Sequence, residues 1–195
     1  RRPQDNGFDE TFVLPSGGHG MFNMNPVMIH NGKLVKCKGF STEVIIGQTL
    51  SWIKSAKDKQ DPFFIYLPTP APHGPYKENI PAEWKTKWLD QGYNHNVAGR
   101  YALVEDLDTQ LGRLMKQLNA WKLMENTLVI FITDNGPNLG GYKKDGKTHT
   151  LYHAGFSKGK GGVFEGSTRV PSFWQWKGVF EAGRDISKLT AHFDF

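Results

Sequence analysis

The chain has 195 residues, with 24 lysines and arginines against 19 acidic residues, a net charge of +5, and 38% hydrophobic residues. That length and mixture suit one globular domain with a sizeable core. They exclude a disulfide framework, because Cys37 is the one cysteine, and no run of about 18 apolar residues is present to form a membrane-spanning helix. The lysines fall in small clusters at 54–59, 143–147 and 158–160 rather than in a continuous basic stripe. This argues against nucleic-acid binding and suits an anionic small substrate equally well.

Residues 1–40 are rich in Gly, Asn, Pro and His and read as long loops over a site or a surface. From Ser41 the pattern changes. Val44, Ile45, Ile46, Leu50, Trp52 and Ile53 recur at roughly helical spacing, which predicts a helix capped by Ser41 or Thr42 and ending near Lys57-Asp58. Pro62 to Leu67 is a short apolar run that predicts a buried, parallel strand. The proline-rich stretch 68–75 after it must be loop, and 76–96 is a polar excursion bearing tryptophans. Tyr101, Val104, Leu107, Leu111, Leu114 and Leu118 predict a helix over about 97–120. Thr127 to Thr133 predicts a second buried strand, ending in Asp134-Asn135-Gly136-Pro137. Residues 138–162, full of Gly, Lys and His, read as a mobile active-site loop, and 170–176 as a third strand. The alternation of helix and strand points to an α/β fold with a mostly parallel sheet flanked by helices. Ligands of such sheets gather at the carboxyl ends of the strands, where both polar clusters lie, one around His73 and one around Asp134-Asn135.

Several of these residues can carry chemistry. Asp134 and Asn135 offer hard oxygen atoms suited to Ca²⁺ or Mg²⁺, although Asp-Asn-Gly-Pro is also good turn chemistry. Two ligands do not saturate such a cation, so further oxygens must come from elsewhere. His73 can donate to an anionic ester or protonate a leaving oxygen, or be an ordinary exposed loop histidine. Lys160 lies among glycines that let backbone approach an anion, in a loop that is equally readable as flexible and basic. Glu165 and Arg169 are set to form an ion pair that shapes this loop. His149 and His153 have the spacing of two metal ligands on a helix, but no helical pattern supports them, and Thr150 stands where a zinc protease has Glu. Cys37, between Lys36 and Lys38, is expected to have a slightly lowered thiol pKa.

Four segments in order resemble the type I, formylglycine-dependent sulfatases of the alkaline-phosphatase superfamily, and the resemblance covers essentially the whole chain. Arg2-Pro3-Gln4-Asp5-Asn6-Gly7-Phe8-Asp9-Glu10 looks like the stretch after the family's Gly-Lys-Trp-His motif. Pro62 to Leu67 leading into Ala71-Pro72-His73-Gly74-Pro75 is similar to its strand and histidine loop. Val129 to Gly136 looks like its second metal-ligand strand. Lys158-Gly159-Lys160-Gly161 through Glu165-Gly166 to Arg169-Val170-Pro171 resembles Lys-Gly-x-x-x-Glu-Gly-x-x-Arg-x-Pro. The resemblance implies an incomplete alkaline-phosphatase-like fold, with 1–195 forming the middle-to-late part of one catalytic domain and no second domain. It implies hydrolysis of sulfuric esters, of the arylsulfatase kind or on sulfated carbohydrates. Asp134 and Asn135 would ligate Ca²⁺, with Mg²⁺ as the alternative. His73 would contact the sulfate ester and its leaving oxygen, and Lys160 a sulfate oxygen. A periplasmic or extracellular location goes with it.

The departures also speak. The family's nucleophile, a formylglycine made in a Cys/Ser-x-Pro-x-Arg motif, has no counterpart here, and Cys37 is followed by Lys38-Gly39. The early Asp-Asp metal ligands are missing too, and Ser167 stands where a second Gly is common. The segment alone is therefore expected to be inactive. Two other readings remain open: a phosphoric or phosphonic ester hydrolase on the same scaffold, and a non-catalytic domain that binds sulfated glycans.

Overall fold

In the computed structural model, which describes residues 2–15, 24–76 and 79–194, the chain falls into two units. The first is Arg1–Gln117 with Leu139–Tyr152 and the second is Leu118–Asn138 with His153–Phe195.

The first unit opens with an antiparallel sheet of β1 (Phe12–Val13), β2 (Val27–His30) and β3 (Lys33–Lys36). Asn31 and Gly32 join β2 to β3 with φ of 49° and 83°, the left-handed pair that a two-residue hairpin turn requires. The expectation of long loops over 1–40 is corrected here: an Asn-Gly pair between two apolar-containing runs is itself a hairpin signal. Residues 16–23, with His19, lie outside the described residues.

Helix α1 (Ser41–Lys59) follows the predicted periodicity and buries Ile45, Ile46, Leu50, Ile53 and Ala56. Its cap differs. Phe40 takes the N-cap position without a side-chain bond, while Ser41 and Thr42 sit in the first turn with 1% and 0% exposure. Both turn inward instead of reaching over the free N–H groups of the helix start. The far end closes on Gln60, left-handed at φ 61°, whose N–H bonds back to the Ala56 and Lys57 carbonyls.

The polar excursion holds a helix, α2 (Ala82–Leu89), which the sequence reading left as irregular. It brings Trp84 and Trp88 onto a buried cluster of Phe40, Ile80, Ala102 and Leu103. The last two belong to α3 (His95–Ala120), the helix expected over 97–120. Asn94 caps it, its Oδ1 accepting from the N–H groups of Asn96 and Val97 at 3.1 Å each. The stretch 138–162, expected as a mobile loop, contains a hairpin of β5 (Gly141–Lys144) and β6 (Lys147–Thr150). Asp145 and Gly146 turn it at φ 50° and 73°. Tyr142 of this hairpin lies 5.7 Å from the Tyr93 ring, and Tyr93 and Trp88 pack in turn on Tyr101 of α3.

In the second unit, β4 (Val129–Ile132) pairs antiparallel with β7 (Ser172–Gln175), in register Val129↔Gln175 to Ile132↔Ser172. These are the second and third expected strands, each trimmed at its ends. Between them a single helical turn, α4 (Glu165–Thr168), follows the glycine-rich loop.

The α/β mixture stands, but the mostly parallel sheet is not found: every strand pairing among the described residues is antiparallel. The strand expected over 62–67 forms no ladder either. Its side chains nevertheless alternate. Phe63, Ile65 and Leu67 are half-buried, while Phe64 and Tyr66 are 76% and 69% exposed. This is the period of an extended chain with one face covered. Trp52 of α1 meets Phe63 edge-on at 6.1 Å on the covered side.

Candidate functional site

The second unit draws three segments together at the end of β4, and it does so through backbone. The Gly136 N–H donates to the Ser167 carbonyl at 2.8 Å, and the Lys160 N–H donates to the Pro137 carbonyl at 2.9 Å. The Ser167 hydroxyl donates to the Gly159 carbonyl. Asp134, Asn135 and Lys160 are thus anchored on one stitched frame. Glycine is required within it. A Cβ at Gly136 would be driven into the Gly166 carbonyl, and one at Gly166 into the Lys158 carbonyl. Neither glycine has a positive φ, so close approach, not turn conformation, is what fixes them. Ser167 is 5% exposed and serves both sides of the frame, so the residue that departs from the Gly common in similar sequences has a bonding role here.

Asp134 is exposed and Asn135 half-buried. The Asn135 amide donates to Asp134 Oδ1 at 3.0 Å and to the Gly136 carbonyl at 3.3 Å. That orientation commits the amide nitrogen and keeps the amide oxygen for another donor or a cation. The pair offers hard oxygens of the kind that suit Ca²⁺ or Mg²⁺, and no group of three or more His, Cys, Asp or Glu that could hold a metal occurs among the described residues. His192, which no motif singles out, bonds through Nε2 to the Thr133 carbonyl at 3.0 Å. It braces the residue just before Asp134, and nothing in its spacing signals that contact.

Lys160 is exposed. Glu165 and Arg169 form the expected ion pair at 2.6 Å, and the Arg169 guanidinium also lies 5.4 Å over the Phe156 ring. This pair shapes the loop from outside, with both side chains more than half exposed.

His73 belongs to the first unit and is exposed. Its ring Nδ1 lies 3.0 Å from the Gly74 carbonyl. A carbonyl only accepts, so Nδ1 carries the proton in this contact. Its own N–H bonds to the Pro70 carbonyl at 2.9 Å. The loop is seated on α3 through Tyr76: a Cβ at Gly99 would strike the Tyr76 carbonyl and lie 2.9 Å from its Cβ, and one at Gly74 would lie 3.1 Å from the Tyr76 ring.

Two minor expectations change. Burial raises the Cys37 thiol pKa rather than letting its lysine neighbours lower it. His149 stands on β6, stacked at 5.5 Å on Tyr142, and His153 lies in no helix, so no helical metal pair exists.

A family model described as Sulfatase matches residues 3–195. The sulfatase YdeN of Escherichia coli is 29% identical over 195 residues, all of this chain and 33% of YdeN. The N-acetylgalactosamine-6-sulfatase of Canis lupus familiaris is 30% identical over 154 residues, 78% of this chain and 27% of that protein. The chain thus spans a third or less of these relatives' lengths. Among solved structures, Ps i-CgsB in complex with k-i-k-neocarrahexaose superposes with a TM-score of 0.76 at 25% identity, over 91% of this chain and 41% of that one. The PsFucS1 sulfatase from Pseudoalteromonas sp. does so with a TM-score of 0.59 at 26% identity, over 81% and 30%.

Proposed function

The chain belongs to the sulfatase family, and from that premise we propose that the full-length protein hydrolyses sulfuric esters of carbohydrates. The observation that carries the reading is the stitched frame of the second unit, which anchors a cation-suited pair and a lysine on backbone that cannot shift without a clash. Catalysis of sulfuryl transfer needs fixed positive charge where negative charge develops. Lys160 supplies it as an ammonium that binds a sulfate oxygen. Asp134 and Asn135 would hold Ca²⁺, or Mg²⁺ in its place; the cation when bound adds Lewis-acid stabilisation of the same oxygens. His73, with its Nδ1 proton committed to Gly74, exchanges a proton at Nε2 with the ester's bridging oxygen as the alcohol leaves. The nucleophile would be the formylglycine that the family resemblance implies; no Cys/Ser-x-Pro-x-Arg motif occurs in these 195 residues. The one family match across both units supports reading them as parts of one catalytic domain. Carbohydrate as the substrate class follows the sugar-acting relatives and the neocarrahexaose complex of Ps i-CgsB. A periplasmic or extracellular setting goes with such substrates.

The test uses full-length protein matured with its modifying enzyme. Turnover of an aryl sulfate should exceed that of the matching aryl phosphate and be lost on chelation, and Lys160→Ala should lower kcat by about 10²–10³. Faster phosphate turnover would move the protein to phosphoric ester hydrolysis. Glycan binding without turnover would make it a binding domain.

A further inference from the structure

We propose that a cavity of the first unit, walled by the exit of the His73 loop, the start of α3 and the β5–β6 hairpin, is a carbohydrate subsite for an unsulfated ring next to the sulfated one. The proposal rests on the sulfatase reading above. The cavity measures about 370 Å³, within the range of small-molecule sites. Its lining includes Tyr76, Tyr142, Asn94, Asn96 and Arg100, and no acidic residue among the described residues.

This set matches a sugar ring. A pyranose presents an apolar C–H face and a rim of hydroxyls that both donate and accept. Aromatic rings cover the face, and asparagine amides offer both donor and acceptor. The cation is already employed in holding the wall: the Arg100 guanidinium lies 5.1 Å over the Tyr76 ring. Arg100 is the one charged residue of the ten in the lining, so the cavity as a whole suits an uncharged ring, and a second sulfate would have that guanidinium alone to meet it.

The walls are preformed, which keeps the ordering cost of binding low. Tyr76 is confined by Gly74 and Gly99 as described. Tyr142 is stacked on His149 at an interplanar angle of 26° and supported by Tyr93. Asn94 is held by its capping bonds to α3, so the exposed Asn96 is the adaptable partner. Pro75, also in the lining, is two residues from His73, which limits the separation to about 7 Å of backbone. A ring in the cavity is thus within reach of a linkage to one whose ester meets His73.

The experiment compares full-length wild type with Asn96→Ala and Tyr142→Leu on three probes: 4-nitrophenyl sulfate, sulfated hexasaccharides of carrageenan and glycosaminoglycan type, and the matching sulfated monosaccharides. The subsite predicts that wild type prefers a hexasaccharide to its monosaccharide. It also predicts that each variant raises KM for that hexasaccharide about tenfold, the loss of one good hydrogen bond or stacking contact, with kcat within twofold and both constants for the aryl ester unchanged. Equal losses on all probes would mean a structural role and overturn it, as would no loss, or no preference for the longer substrate. If wild type hydrolyses no sulfate ester, the sulfatase reading fails by itself. Calorimetric titration with desulfated hexasaccharides then decides the subsite: binding that Asn96→Ala abolishes upholds it, and absence of binding overturns it.

Discussion

The two units hold their shape by different means. The first buries Met28, Ile46, Ile53 and Leu103 almost completely, and its helices pack around a cluster of aliphatic and aromatic side chains. The second leaves Val163, Phe173, Ile186 and Leu189 more than 60% exposed, and its candidate site is fixed by backbone hydrogen bonds and by glycines pressed against carbonyls. A side chain removed from a packed core leaves a cavity that its neighbours only partly fill, whereas a glycine pressed against a carbonyl leaves no room for an added carbon. The first unit should therefore suffer most from deletions and the second from additions.

The sharpest trial of that contrast is a pair of opposite substitutions. Ile46→Ala, at 0% exposure, should cost the first unit about 3–4 kcal/mol by emptying a packed site. Gly166→Ala should cost the second about 3 kcal/mol, because its Cβ meets the Lys158 carbonyl. Denaturant unfolding followed by far-UV circular dichroism, with Trp174 and Trp176 fluorescence as the reporter of the second unit, would separate the two. A harmless Gly166→Ala would break the comparison. Ser167→Ala comes next, at about 1 kcal/mol for the lost bond to the Gly159 carbonyl, read from the same transition.

A gentler effect is tied to pH. Asp106, buried on α3, has its carboxyl pKa raised by desolvation first, with the neighbouring polar groups of Thr42 and Gln110 opposing and Glu43 raising it further. A carboxyl whose pKa is higher folded than unfolded makes the folded state bind more protons. Its contribution is present at low pH and is lost as pH climbs from the ordinary aspartate range through the raised value. Asp106→Asn should therefore flatten the fall in melting temperature between pH 4 and pH 7, measured by calorimetry. The smallest change is expected for Arg169→Met. Both partners of the Glu165 pair are more than half exposed, so the melting curve should move by about 0.5 kcal/mol or less.

Legibility in the sequence followed the same divide. The helices of the first unit were readable because their burial is periodic, although on α3 the buried face runs through Ala102, Leu103 and Leu114, while Val104, expected in the apolar stripe, is 47% exposed. Strand β4 was readable from its unbroken apolar run, but its antiparallel pairing with β7 was not, since a run of apolar residues does not say which way a neighbour points. Segment 62–67 carries the composition of a strand without a ladder, because pairing belongs to two segments and composition to one. Motif order nominates the candidate site residues Asp134, Asn135, Lys160 and His73. The roles of Gly166, Ser167 and His192 depend on contacts between distant segments, and only the fold displays them. The Asn31-Gly32 turn is a local hairpin signal set in a stretch whose overall composition is that of loop.

The Asp145-Gly146 turn carries a consequence for how this protein's lineage can vary. With both residues left-handed, the turn holds Tyr142 opposite His149. One residue added to each strand would lengthen the hairpin and keep that pairing. A single added residue must be absorbed as a bulge or a different turn, or else it sends one strand's side chains to the opposite face. Inherited length changes within this hairpin should accordingly come in twos, and lineages with an odd change should show a glycine where the bulge forms.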